Sequence, residues 1–201
     1  MASDLLIIMA RYPTRGRVKT RLARDIGATA ATALYKSFLQ RYRHEFDGAA
    51  FAVEWHFTPA RAPFRRVVDP GVVIHPQLPG DLGAKMQQSF ARGFAEGRRR
   101  IVMIGTDAPE VGCATVRRAF RLLQQHPVVL QPTLDGGYAL IGLTELCDVF
   151  TDIAWSTAAV MAQTRARLWS LHRRWAELPV TFDVDTAADL ARLSNHAPRC
   201  H

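Results

Sequence analysis

Two short runs of uninterrupted apolar residues constrain this chain more than any other feature. Residues 5–10 (LLIIMA) and 101–104 (IVMI) are far shorter than the roughly 18 residues of a membrane span, and they lack the polar alternation of a strand with one face in water. Such runs belong to central strands covered on both faces. Each ends in loop punctuation, Pro13 and Gly16 after the first and Gly105 after the second. Between them the period changes to that of helices. Leu22, Ile26, Ala30, Leu34, Phe38 and Tyr42 recur every four residues and predict one long amphipathic helix over residues 20–45. Residues 51–58 (FAVEWHFT) alternate like a strand and a shorter strand follows at 72–75. Helical spacing returns at 82–94, 111–123, 158–171 and 186–193, with strand-like segments at 128–131 and 138–143. This alternation predicts an α/β fold of three layers, a mostly parallel sheet with helices on both faces. No repeat, low-complexity tract or linker divides residues 1–201, and with 48% hydrophobic residues the chain can close a single core.

Charge narrows the choice of partner. The formal net charge is +8, but residues 11–24 (RYPTRGRVKTRLAR) hold six bases and no acid, whereas the remainder carries 20 bases and 18 acids. A nucleic-acid module needs a broad basic face interleaved with aromatic residues; this excess is one loop. Three cysteines, Cys113, Cys147 and Cys200, form neither a disulfide framework nor a zinc motif and fit a reducing compartment. The acidic Asp4 before a short apolar run does not fit a signal peptide. The expectation is a cytoplasmic, soluble protein that binds neither nucleic acid nor membrane.

In sheets of this kind ligands sit beyond the carboxyl ends of the strands, so the loops after Ala10, His75, Ile104 and Gln131 are where chemistry belongs. The first, R-G-R-V-K-T-R-L, runs from a strand into a helix. Gly16 admits close backbone approach, and Lys19 and Arg21 add a point charge and a planar fork to the helix N-terminus, the makings of a phosphate cradle. A solvated basic loop is the competing reading, and the spacing matches neither G-x-x-x-x-G-K-[ST] nor G-x-G-x-x-G. The second, G-T-D-A-P-E at residues 105–110, puts Asp107 where a carboxylate can hold Mg²⁺ or Mn²⁺ against substrate phosphates, or where it caps the next helix. In L-D-G-G-Y, 134–138, Gly136 and Gly137 leave room for a sugar or phosphate and Asp135 can accept from hydroxyls, although Asp-Gly-Gly is also hairpin chemistry. In D-V-D-T-A-A-D-L, 183–190, Asp183 and Asp185 are expected on opposite sides, so that only one shares a metal with Asp107; helix capping competes here too. Q-L-P-G-D-L-G, 77–83, is a turn into a helix whose Gln77 can read a base edge through its amide. The seven histidines show no H-E-x-x-H or H-x-H spacing, and Ser156 lies in no G-x-S-x-G elbow.

In this order V-K-T-R-L, Q-x-x-G-D-L-G, G-T-D-A-P-E, D-G-G-Y-A-L-I-G-L, W-S-T and D-V-D-T-A-A-D-L resemble the bacterial DUF2064 family, whose members are often labelled glycosyltransferases or radical-SAM/selenodomain-associated transferases. The resemblance runs from about residue 5 to residue 193 and implies the GT-A fold of the nucleotide-diphospho-sugar transferase superfamily. Carried over position by position, it implies that Arg11, Gly16, Lys19, Arg21 and Thr106 hold the nucleotide phosphates and that Gln77, Gly80 and Gly83 read the base. Asp107 and Asp185 would bind Mg²⁺ or Mn²⁺, and Asp135, Gly136, Gly137 and Tyr138 would face the acceptor or sugar. Lys19, Arg21 and Asp107 would carry the catalysis. The chain departs from the superfamily in lacking the G-x-G-T-R start of the first loop and a D-x-D at the place of Asp107.

The leading expectation is metal-dependent nucleotidyl transfer from a nucleoside triphosphate to a small phosphate-bearing or similar acceptor. Glycosyl transfer from a nucleotide sugar is the alternative, and a non-catalytic nucleotide or nucleotide-sugar binder a third, since fold does not dictate activity.

Overall fold

The computed structural model describes residues 3–196; Cys200 lies outside them. Its centre is a seven-stranded sheet built from β1 (Asp4–Arg11), β2 (Ala52–Thr58), β3 (Val73–Pro76), β4 (Arg100–Ile104), β5 (Val128–Pro132), β6 (Tyr138–Leu143) and β7 (Trp175–Glu177). The spatial order is β3-β2-β1-β4-β6-β5-β7. β1 pairs in parallel with β2 and β4, β2 with β3, and β5 with β7; β6 alone runs against its neighbours β4 and β5. The mostly parallel sheet expected from the alternation of strands and helices is therefore present.

Both runs are buried on both faces for the reason their composition demanded. Leu6, Ile8 and Ala10 pack with Tyr35, Leu39, Tyr42, Val116 and Phe120, from α2 (Ala28–Glu45) and α4 (Cys113–Leu122). Leu5 and Ile7 turn the other way onto Met86, Phe90, Met161 and Leu168, from α3 (Leu82–Ala95) and α5 (Val160–Ser170). Period-two alternation thus sends successive residues of one strand into two cores.

The helix expected over residues 20–45 is two helices, α1 (Leu22–Ile26) and α2. Gly27 divides them with φ +83°, a left-handed conformation that favours glycine and ends a helix. The four-residue apolar period continues across the break and hides it. β7 has no signature in the sequence pattern because three residues are too few to establish a period. A last helix, α6 (Ala187–His196), is stapled to α1 where the backbone N–H of Ala187 donates to Asp25 at 3.2 Å. Among the described residues no helix is long and apolar enough to cross a membrane.

Phe90 has no solvent exposure and stacks on Phe150 in the second core. Phe90→Ala should lower unfolding stability by about 3–5 kcal/mol in urea titrations; a loss under 1 kcal/mol would show that the second core tolerates a cavity there.

Candidate functional site

Strand order reverses direction between β1 and β4, whose connections leave in opposite directions around the sheet, and at that point a cleft of about 1070 Å³ opens above their carboxyl ends. Its lining brings together residues from every loop singled out by sequence: Arg11, Lys19 and Arg21, Gln77, Thr106 and Asp107, Asp135, Gly137 and Tyr138, and Asp185.

At its centre is Lys19. Its side chain is only 2% exposed, its ammonium pairs with Asp107, and Asp185 lies 3.2 Å from the same nitrogen. Burial would lower the Lys19 pKa, but the attraction of Asp107 and Asp185 outweighs it and leaves the group above the ordinary lysine value. The backbone pays for this placement: Lys19 has φ +47°, the left-handed region that non-glycine residues rarely adopt. Arg21, which is mostly exposed, reaches Asp185 at 3.7 Å.

Asp107 does not cap a helix. α4 starts six residues later behind Gly112, and the carboxylate of Glu45 accepts its Cys113 N–H at 2.8 Å. The loop carrying Asp107 is fixed from beneath instead. Tyr35 shares a 2.9 Å hydrogen bond with Thr106 and accepts from the Arg11 N–H at 3.0 Å, and the Tyr42 hydroxyl donates to the Ala108 carbonyl. Burial, then the nearby Asp107 charge, pushes the Tyr35 phenol up to about 12, so it remains protonated. From the other side the Val184 N–H donates to the Asp107 carbonyl at 2.9 Å, docking the C-terminal acidic segment beside it.

The capping role in that segment belongs to Thr186 and Asp189, which exchange hydrogen bonds at the start of α6. Asp185 is thereby free to face Lys19. Asp183 was expected on the opposite side from Asp185, and this is corrected: both line the cleft, while Val184 between them is fully buried. Extended backbone has a period of two, so residues i and i+2 share a side. Burial first, then the charges of Asp107, Asp135 and Asp185, push the Asp183 carboxyl up to about 7 against the opposing pull of Lys19.

Several predicted positions are accounted for by local geometry. Gly16, Gly80, Gly83 and Gly136 are outside the lining. A Cβ on Gly83 would meet the Trp155 indole at 2.7 Å, and one on Gly136, where φ is +90°, would lie 2.2 Å from the Ala158 carbonyl. These two glycines let α3 and the β5–β6 hairpin pack against residues 155–158. Asp135 holds the hairpin by accepting from Thr133 at 2.6 Å and from the Gly137 N–H at 3.1 Å. Gln77 donates its amide to the His56 carbonyl at 2.9 Å and to that of Ala10 at 3.5 Å. Sequence reasoning gave no site role to Lys85 on α3, and it read Trp155, Ser156 and Thr157 only as a family motif; all four line the cleft. The spacing of Met86, Phe90 and Phe94 marked α3 by its apolar side, whereas Lys85 faces the cleft from the adjoining one.

The model of DUF2064, described as uncharacterised proteins conserved in bacteria, matches residues 45–157. This chain belongs to the DUF2064 family. A proposed nucleotide-diphospho-sugar transferase from Desulfovibrio desulfuricans G20 superposes with a TM-score of 0.93 at 30% identity, over 99% of this chain and 90% of that one. A manganese complex of Rv0371c from Mycobacterium tuberculosis H37Rv is similar at a TM-score of 0.56 and 23% identity, over 94% and 96% of the two chains. CMP:2-keto-3-deoxy-manno-octonic acid synthetase complexed with CTP gives 0.60 and 13%, over 96% and 97%. No curated protein sequence matches. The DUF2064 chain thus has the nucleotide-diphospho-sugar transferase fold.

The acidic cluster of this DUF2064 protein carries a pH signature. The raised Asp183 pKa means that protonation favours the fold: the contribution is full below about pH 4 and is lost as pH rises through about 7. In chelator, Asp183→Asn should match wild type near pH 4 and exceed it by a few kcal/mol at pH 8–9 in thermal melts, an order-of-magnitude figure. Parallel stability profiles across that range would refute the shift.

Proposed function

We propose that this protein is a metal-dependent nucleotidyltransferase that joins the α-phosphate of a nucleoside triphosphate to a small acceptor with release of pyrophosphate. The observation that carries the reading is the Lys19 clamp: one buried ammonium between Asp107 and Asp185 at the mouth of the sheet, with Asp183 alongside. Three carboxylates against one ammonium leave a surplus of negative charge, and Asp183 responds by holding its proton up to about pH 7. An all-oxygen donor set with surplus negative charge fits a hard divalent cation, Mg²⁺ or Mn²⁺. Asp107, Asp185 and Asp183 would hold it, and when bound it supplies charge neutralisation for the phosphates.

The chain's own residues divide the remaining work. Arg11, Arg17 and Arg21 line the cleft beside the carboxylates, so a basic wall adjoins an acidic centre, the arrangement a metal-bound polyphosphate requires. Lys19 is placed to neutralise charge developing on the bridging oxygen as the bond from the α-phosphorus to it breaks and the acceptor oxygen bonds to that phosphorus. Gln77 and Lys85 stand on the β3–α3 side, where the base would lie, and Asp135, Gly137 and Tyr138 on the hairpin side, where the acceptor would lie. The neighbours named as a nucleotide-diphospho-sugar transferase and a CTP-bound synthetase support a nucleotide-using transferase, and the manganese complex supports a divalent metal. The name of the D. desulfuricans neighbour also favours a second reading, glycosyl transfer, in which the same residues would face a departing nucleoside diphosphate.

Pyrophosphate release, measured across the nucleoside triphosphates with Mg²⁺ and sugar-phosphate acceptors, tests the proposal. Activity should require the metal, fall by about 100-fold or more in Arg21→Ala, and leave the melting temperature unchanged because Arg21 is exposed. Turnover of nucleotide sugars without pyrophosphate release would replace it with the second reading.

A further inference from the structure

A second set of donors lies inside the sheet, apart from the acidic cluster. Glu54 and His56 are two residues apart on β2 and share a face; His75 is the register partner of His56 on β3. Glu54 and His56 are each 3% exposed, whereas the side chain of His75 is 18% exposed and gives the cluster an opening. Glu54 Oε2 is 3.5 Å from His56 Nε2 and 3.4 Å from His75 Nε2, and all three donor atoms fall within 4.8 Å of one another.

The hydrogen-bond roles sharpen this geometry. Ser89 Oγ donates to the Lys85 carbonyl at 2.8 Å, which uses its only hydrogen. With that hydrogen spent, Ser89 Oγ accepts from His56 Nδ1, also at 2.8 Å, and the ring turns its other nitrogen, Nε2, toward Glu54. His56 Nε2 and Glu54 Oε2 are buried and face each other at 3.5 Å, and neither has a hydrogen bond of ordinary geometry among the described residues. Such a pair in a dry core is costly unless a proton or a metal cation lies between the two atoms.

We propose that Glu54 Oε2, His56 Nε2 and His75 Nε2 form a site for one divalent transition-metal ion of the zinc type, tying edge strand β3 to β2. A tetrahedral ion with bonds of about 2.0–2.2 Å to nitrogen and oxygen holds its ligands about 3.3–3.5 Å apart, which is the spacing of both His–Glu pairs. Two imidazoles with one carboxylate select Zn²⁺ over Mg²⁺. The bond from His56 Nδ1 to Ser89 is the orienting contact that metal-bound histidines usually have. Arg98, 3.7 Å from Glu54 Oε1, engages the other carboxylate oxygen and leaves Oε2 for the metal. The sequence concealed this site because its third donor comes from a neighbouring strand, so no local histidine spacing announces it.

The test uses tag-free full-length protein, stripped with EDTA and titrated with Zn²⁺ and with Co²⁺ in excess Mg²⁺. Wild type should take up one Zn²⁺, melt at higher temperature with it, and give the intense visible absorption of low-coordinate Co²⁺. Asp107→Asn should keep all three, which separates this site from the acidic cluster. His75→Ala should lose them, and Ser89→Ala, which removes no ligand, should bind Zn²⁺ about 10–100-fold more weakly. Zinc uptake by His75→Ala equal to that of wild type, or none by wild type, would overturn the proposal and leave a cluster held together by protons.

Discussion

One buried ammonium organises the working end of this molecule. A lysine taken out of water must be paired, and the partners of Lys19 come from loops that are remote in sequence: Asp107 after β4 and Asp185 before α6. The pairing therefore joins three chain segments at one atom, and the Tyr35–Thr106, Tyr42–Ala108 and Val184–Asp107 hydrogen bonds hold those segments in register beneath it. Removing one member of such a pair strands a charge, at a cost of about 3–5 kcal/mol for a fully buried case; the half-exposed Asp107 carboxylate softens that cost here. The left-handed backbone of Lys19 is a strain that only this surrounding network sustains. Position and charge at the cleft are thus set before any ligand arrives.

What was legible in the sequence follows from which interactions are local. The runs at residues 5–10 and 101–104 identified their strands because burial on both faces leaves no polar position, and the loops after them had to lie at the carboxyl edge. Lys19 and Asp107 stood out that way and Asp185 through its D-T-A-A-D-L context, although the ion pairs joining them did not, because pairing across 166 residues leaves no spacing to read. Asp183 was misplaced by a wrong application of strand periodicity rather than for lack of signal; the alternation with buried Val184 was there to be read. The glycines of the D-G-G and G-D-L-G motifs show a different limit. Gly83 and Gly136 are required by Trp155 and Ala158, whose approach depends on tertiary packing that the local motif does not encode. Gly27 interrupted a helix whose apolar stripe continued unbroken past it.

The two donor sets differ in kind, and the sheet explains why. At the carboxyl ends the backbone stops pairing and loops converge, so carboxylates can gather while still reaching water; such oxygen donors suit hard ions and the phosphates they accompany. Within β2 and β3 each donor projects from paired backbone at a fixed register, which suits directional imidazole ligands. Gln77 connects the two regions. It follows His75 and Pro76 directly and fastens its amide to the carbonyls of His56 and Ala10, so the end of β3 is secured to β2 and β1 at the floor of the cleft. β3 is four residues long and lies at the sheet edge, with a neighbour on one side only. An edge strand so short holds its place through side chains more than through its ladder. Whatever fixes His75 against His56 and Glu54 therefore also fixes Gln77 at the cleft, and the geometry of the β3–α3 wall depends on a cluster that lines no part of it.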